Sequence, residues 1–274
     1  MGDFLRTIAR KPFVFRATDW FGIRGLLRTI YRFCFAPGGG RHEISVAGRH
    51  AKFHVYSSAA VQALDSLGGE RQTLEFLIGR LAPGDCLYDI GAATGLYTVF
   101  LAHVVGEKGR VVSFEPERDA YERLQENLKL NQLSNVQAFR LALSDREGSV
   151  VLQLGDVAGA ARMVESCAER ETRRVGAEHA QAAQGDEFVK AHGLPPPRAV
   201  KIDVEGHEYS VLRGLGRTLA QSCCELVCCE VHPSLLPRGL TPEDVLAFLR
   251  SVGFGRIEIH RRTKDFHAWA FKRN

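Results

Sequence analysis

Residues 87–98, Leu-Tyr-Asp-Ile-Gly-Ala-Ala-Thr-Gly-Leu-Tyr-Thr, constrain this chain more than any other stretch. A short apolar run ends in Asp89 and Ile90, Gly91 and Gly95 follow four residues apart, and Leu96, Val99, Phe100 and Ala102 then recur at helical spacing. That pattern reads as strand, tight turn and helix. In an open α/β sheet, a loop of this kind at the carboxyl end of a strand is where a nucleotide-like ligand binds.

The residue types around the turn narrow the ligand. A dinucleotide site uses G-x-G-x-x-G, whose glycines let a pyrophosphate approach backbone N–H groups at a helix N-terminus. This chain reads D-x-G-x-x-x-G, with Ala93 where the second glycine would fall. The Asp89 carboxylate repels a pyrophosphate and attracts a ligand with ammonium and sulfonium groups, both of which S-adenosylmethionine carries. An ordinary βα turn, with glycines serving chain geometry alone, is the competing reading.

At 274 residues, 45% hydrophobic and 25% charged, the chain suits one large α/β domain, residues 41–274, behind an extension of residues 1–40. Ten of its 36 lysines and arginines, but three of its 32 acids, fall in the first 52 positions. Residues 1–35 mix these cations with aromatic and aliphatic side chains, as a helical arm does when it packs on the domain or lies weakly on an anionic membrane surface. Arginines interrupt each apolar run, so no transmembrane segment is expected, nor is a nucleic-acid partner. Seven cysteines, including the adjacent pairs Cys223-Cys224 and Cys228-Cys229, suit buried thiols in a reducing, cytoplasmic compartment. No C-x-x-C pairs frame a zinc site.

Taken in order, the patterns predict a hairpin over 44–56, a helix over 70–81 and the core strand that feeds the loop. A strand over 110–114 follows, then a helix through Leu124 and Leu128 and a third strand over 136–143. A hairpin begins near 149–154, and residues 155–197 read as a loop-rich insertion in the place of a substrate lid. Strands over 199–203, 226–231, 256–260 and 268–271 alternate with helices over 208–219 and 241–252. Alternation of this kind implies a mostly parallel sheet.

Two further groups carry chemistry. Glu115 ends the second strand, where a carboxylate can accept both hydroxyls of a ribose, or simply sit near a helix start. Ala142 and Leu143 follow the third strand, where an adenine ring can rest on apolar side chains. The second group is K-I-D-V-E-G-H, residues 201–207, with C-E-V-H, residues 229–232. Alternation puts Asp203 and Glu205 on one side of the chain, and Glu230 and His232 likewise, provided the extended conformation continues past the strand ends. Helix capping by Asp203 or Glu205, and a surface position for His207, are the plainer alternatives.

Together D-I-G-A-A-T-G, S-F-E-P-E, A-L-S-D, K-I-D-V-E-G-H-E with V-L-R-G behind it, and C-E-V-H resemble the FkbM-type family of S-adenosylmethionine-dependent methyltransferases. The likeness runs from about residue 70 to residue 232, with K-I-D-V-E-G its most specific part. It implies a Rossmann-like class I methyltransferase fold: a seven-stranded, mostly parallel sheet with its last strand antiparallel. It implies O-methylation of a small-molecule or glycan hydroxyl. By the same resemblance Asp89, Gly91, Ala92 and Gly95 hold the methionine moiety, Glu115 the ribose, Ala142 and Leu143 the adenine surroundings, and Asp203 the floor beside the methyl group. Thr94 departs from the bulky aliphatic residue common before the second loop glycine.

Asp203, His232 and Glu230 are the candidate catalytic residues. His232 as a metal-free general base, held by Glu230 or Asp203, is the favoured mechanism, and a divalent cation on these groups with Glu205 nearby is the alternative. An NAD-dependent dehydrogenase and a non-catalytic binding module are the competing functions, the first disfavoured by the missing central glycine.

Overall fold

The computed structural model describes residues 40–56, 58–154, 162–164 and 177–272. The basic arm and most of residues 155–176, the first half of the expected lid, lie outside the described residues.

The described chain opens with the hairpin β1 (Gly40–Val46) and β2 (Arg49–Val55). Its two-residue turn places both Ala47 and Gly48 at positive φ, 48° and 73°, the backbone twist that tight hairpins need. Helices α1 (Ser58–Ser66) and α2 (Arg71–Arg80) lead to β3 (Cys86–Ile90), α3 (Leu96–Val105), β4 (Arg110–Phe114), α4 (Arg118–Leu130) and β5 (Val136–Phe139). Next come β6 (Ala142–Ser144), β7 (Gly148–Gln153), β8 (Arg162–Val164), β9 (Ala177–Gln184) and α5 (Gly185–Ala191). The chain then returns through β10 (Ala199–Ile202), α6 (Glu208–Gly214), α7 (Gly216–Ala220), β11 (Leu226–Val231), α8 (Pro242–Ser251), β12 (Arg256–Arg261) and β13 (Phe266–Phe271).

Seven strands form the central sheet in the order β12-β13-β11-β10-β3-β4-β5. The pairs from β11 across to β5 are parallel, and β13 runs antiparallel to both its neighbours. This is the mostly parallel sheet with an antiparallel last strand that the motifs imply. Strand order reverses between β3 and β10, which opens a crevice at their carboxyl ends.

Both faces of the sheet are covered. Every residue of β3 is buried, as expected of a parallel strand between two helical layers. Leu87 packs with Leu74, Phe100 and Leu124 on one side, whereas Tyr88 and Ile90 pack with Val211, Leu212 and Leu249 on the other. The period of two therefore puts Asp89 on the α3 side. Helix α8 lies where the pattern over 241–252 predicts one, and Thr241 and Asp244 form a capping box at its start, with Pro242 opening the helix.

Three expectations need correcting. The run over 136–143 is two strands, because the chain leaves the central sheet after Phe139 and β6 pairs with β9 in a second sheet ordered β6-β9-β7-β8. The alanine-rich end of the insertion is not loop but the eight-residue strand β9, whose Ala180 and Ala182 are small enough to be buried in that sheet. The helix over 208–219 breaks at Leu215 into α6 and α7.

Gly214 marks where α6 meets β6 of the second sheet, since a Cβ on it would lie 1.9 Å from the Ser144 carbonyl oxygen. We predict that Gly214→Ala destabilises the protein by about 2 kcal/mol or more through backbone overpacking. Gly79→Ala, in exposed helix with nothing within 4 Å of the new methyl, should stabilise it by about 0.5–1 kcal/mol. Urea midpoints for the two variants that moved together would refute this assignment.

Candidate active site

The turn after β3 is set by backbone contacts. Gly91 and Ala92 both donate to the Phe114 carbonyl, at 2.9 and 3.1 Å, so the loop is hung from the end of β4. Gly91 has φ +76°, and a Cβ there would lie 1.7 Å from the Asp203 carbonyl oxygen. Only glycine lets the ends of β3 and β10 approach this closely. Gly95, at φ +94°, caps α3. The carbonyl of Thr94 accepts from Asn127 Nδ2 at 2.8 Å, a tether from α4.

Asp89 lies under the loop rather than in the crevice. It is fully buried, and its Oδ2 accepts from Thr98 Oγ1 at 2.6 Å. Lys201, the first residue of K-I-D-V-E-G, explains why its charge is tolerated. The Lys201 Nζ donates to the Gly91 carbonyl at 2.9 Å, and lies 3.6 Å from Asp89 Oδ1 and 3.5 Å from Asp203 Oδ2. It also sits 4.9 Å from the centre of the Tyr97 ring. Burial alone would push the ammonium down, but Asp203 and Asp89 hold it above the ordinary lysine range. No role is expected of this lysine from the sequence, but its place two residues before Asp203 on a strand puts it on the same face.

A crevice opens beside the loop. Gly91, Glu115 and Asp203 line one part, and Leu141, Ala142, Leu143 and Leu152 make an apolar wall suited to a flat ring. Ala92 is buried. Glu115 is 5% exposed, and its oxygens accept from the N–H groups of Ala93 and Glu117, each at 2.8 Å. Each oxygen keeps a lone pair for a ligand hydroxyl. Burial pushes the Glu115 carboxyl up to about 7, against the pull of the Glu117 and Ala93 amides.

The acid-rich end of the crevice differs from expectation in its pairing. The extended conformation stops at Asp203, and Glu205 takes φ 50° in a turn completed by Gly206 at φ 98°. Asp203 and Glu205 nevertheless reach His232 Nε2, at 4.0 and 3.7 Å. The group that holds the imidazole is Glu208, whose Oε1 lies 2.6 Å from His232 Nδ1 and accepts from the Gly206 amide at 2.8 Å. Glu208 is fully buried in the first turn of α6. The sequence offered one signal for it, an acid directly after His207 in a buried helix start.

Glu230 plays a different part from the one expected. Its oxygens lie 3.0 Å from Arg262 Nη1 and 2.9 Å from His267 Nε2, and Arg262 also pairs with Glu70 at 2.6 Å. Burial raises the Glu230 carboxyl, but His267 and Arg262 outweigh it and hold the group below its usual range. It stands 3.9 Å from His232 Nε2 without a hydrogen bond. Neither Asp203 nor Glu205 caps α6. His207 is half-buried, with its Nε2 3.0 Å from Ser144 Oγ, and burial lowers its pKa to about 4.

Among the described residues, three groupings bring metal-type donors together: Asp203 with Glu205 and His232, Glu230 with His232 and Asp265, and Glu70 with Glu230 and His267. Glu230, shared by the last two, is already engaged by Arg262 and His267, so the first is the set whose oxygens and nitrogen suit a hard cation.

The family profile described as the methyltransferase FkbM domain matches residues 89–255, which takes in the loop, the crevice and His232. This chain belongs to the FkbM methyltransferase family. It is 30% identical over 223 residues to the hexuronic acid methyltransferase AglP of Haloferax volcanii, covering 80% of this chain and 84% of that one. A crystal structure of methyltransferase FkbM from Methylobacillus flagellatus shares the fold, with TM-score 0.51 and 16% identity over 78% of this chain and 55% of the other. As an FkbM family member the protein is an S-adenosylmethionine-dependent methyltransferase. The crevice fits that molecule through the side-chain-free approach at Gly91, the lone pairs of Glu115 and the apolar wall.

Glu115→Ala is expected to weaken S-adenosylhomocysteine binding by about 2–4 kcal/mol, the loss of two charge-assisted hydrogen bonds. Ribose hydroxyls favour the carboxylate form, so wild-type affinity should fall as pH drops below about 7, and Glu115→Gln should flatten that dependence. Calorimetry across pH 5.5–8.5 checks both, and equal affinities for wild type and Glu115→Ala would remove Glu115 from the site.

Proposed function

We propose that the protein transfers the methyl group of S-adenosylmethionine to a hydroxyl of a sugar, with a glycan bearing an acidic sugar as the first acceptor to try. The observation that carries this is the relative named for a hexuronic acid, aligned over most of both chains. When bound, S-adenosylmethionine supplies an electrophilic methyl group on positively charged sulfur. Asp89, Gly91, Ala92 and Gly95 shape the loop at its methionine end, Glu115 takes the ribose, and Ala142 and Leu143 adjoin the adenine.

Asp203 and His232 are assigned to the acceptor. As the C–O bond forms and the C–S bond breaks, the hydroxyl proton must leave, and His232 Nε2 is the receiving atom in this scheme. The Nδ1–H donates to Glu208, which fixes the tautomer and stabilises the imidazolium that forms. Glu230 supports the site through Arg262 and His267 rather than by touching the acceptor. Alignment of acceptor and methyl group supplies much of the remaining rate, up to roughly 7–11 kcal/mol. The cytoplasm is the proposed place of work, in keeping with free thiols at Cys86, Cys224, Cys228 and Cys229.

Mass spectrometry of uronic-acid-containing glycans incubated with methyl-labelled S-adenosylmethionine should reveal a labelled ether. Burial pulls His232 down, but the Glu208 hydrogen bond and the charges of Glu208, Asp203 and Glu205 raise it to about 9. A base must be unprotonated to act, so kcat/KM should climb with pH up to about 9, and His232→Ala should cost about 100-fold or more and lose that slope. EDTA should leave the rate unchanged. Loss of activity in EDTA with recovery in magnesium or manganese would replace the base by a cation on Asp203, Glu205 and His232.

A further inference from the structure

Lys201 has no part in the scheme above, yet it reaches Asp89, the Gly91 carbonyl and Asp203 together. Six carboxylates, of Glu70, Asp89, Asp203, Glu205, Glu208 and Glu230, converge around the carboxyl ends of β3, β10 and β11. Among the described residues, the lysines and arginines paired with them are Lys201 and Arg262 alone. Arg262 serves Glu70 and Glu230 at the far side. Lys201 faces both Asp89 and Asp203, the latter through Oδ2 while His232 stands 4.0 Å from Oδ1, and it is 6% exposed, so solvent screens it little. Asp89 Oδ1 is buried and makes no hydrogen bond, which leaves Lys201 Nζ at 3.6 Å as the group that balances it.

We propose that Lys201 is a positioning residue that sets how tightly the crevice holds a sulfonium, by neutralising Asp89 and Asp203 from beneath the cofactor loop. The inference rests on the reading of this crevice as the S-adenosylmethionine site. Methyl transfer converts a sulfonium into a neutral thioether, so positive charge at sulfur fades as the transition state is reached. Uncompensated carboxylates near that sulfur stabilise the charged ground state more than the transition state, which raises affinity and slows chemistry. One buried ammonium offsets them while its hydrogen bond to the Gly91 carbonyl keeps the loop in place.

Affinities for S-adenosylmethionine and S-adenosylhomocysteine differ through that one charge, and their ratio reads the effect. Calorimetry on the full chain should show that Lys201→Met favours S-adenosylmethionine over S-adenosylhomocysteine by about tenfold or more relative to wild type. KM for S-adenosylmethionine and kcat should fall together. Lys201→Gln, which keeps a donor for Gly91, should shift the ratio the same way, whereas Lys201→Arg should hold it near wild type. Adding Asp89→Asn to Lys201→Met removes a negative charge as well, and should bring the ratio back toward wild type. A purely structural lysine predicts that both affinities weaken in step and that Asp89→Asn repairs nothing; either result overturns the proposal. Wild-type protein that bound neither ligand would sink the site reading and this inference with it, while wild-type binding with an unmoved ratio in both neutral variants sinks the inference alone.

Discussion

The carbonyl oxygen of Asp203 occupies the space that a side chain on residue 91 would need, at 1.7 Å from the ideal Cβ position. That single close approach brings together the two strands on either side of the order reversal. It places the Asp203 carboxylate beside the loop, and lets Lys201 reach the Gly91 carbonyl from one strand to the next. The loop, the crevice and the acid-rich end are therefore one construction. Phe114 at the end of β4 completes it by accepting two hydrogen bonds from the turn.

The acids are arranged by what neutralises them. Asp89 and Asp203 share a lysine, Glu70 and Glu230 share an arginine, and Glu208 is left to an imidazole. A buried carboxylate without such a partner is costly, so this partition separates structural acids from those that keep capacity for a ligand. Glu205, half-buried beside the His232 ring, and Glu115, held by two amides, belong to the second kind. Glu230 belongs to the first.

Much of this was legible in the sequence, for local reasons. The strand, turn and helix over 87–98 carry their own periodicity and glycines, and Thr241-Pro242 with Asp244 announces a helix start by side-chain chemistry alone. The parallel strands read as continuous apolar runs because both their faces are buried. What escaped depended on neighbours distant in sequence. Arg140 and Leu141 contain no turn residue, so the break between β5 and β6 is imposed by pairing with β9. The alanines of β9 look like loop until a second sheet gives them something to pack against. Alternation put Glu230 and His232 on a shared side, but it could not reveal that Arg262 and His267 claim the first, or that Glu208 holds the second.

The central pairing of β3 with β10 has a consequence in time. Gly91 and its Lys201 partner are 110 residues apart, whereas β3, β4 and β5 join through short βαβ connections. Closing so long a stretch of chain adds little to the equilibrium cost, because loop entropy grows only logarithmically, but contacts between distant residues slow folding. The turn over 91–95 can hang from Phe114 early, but its close contact with the Asp203 carbonyl must wait for β10. A nascent chain released before β10 emerges would hold the whole glycine motif and still lack the surface that shapes it, so competence to bind arrives late in synthesis, well after the motif itself has been made.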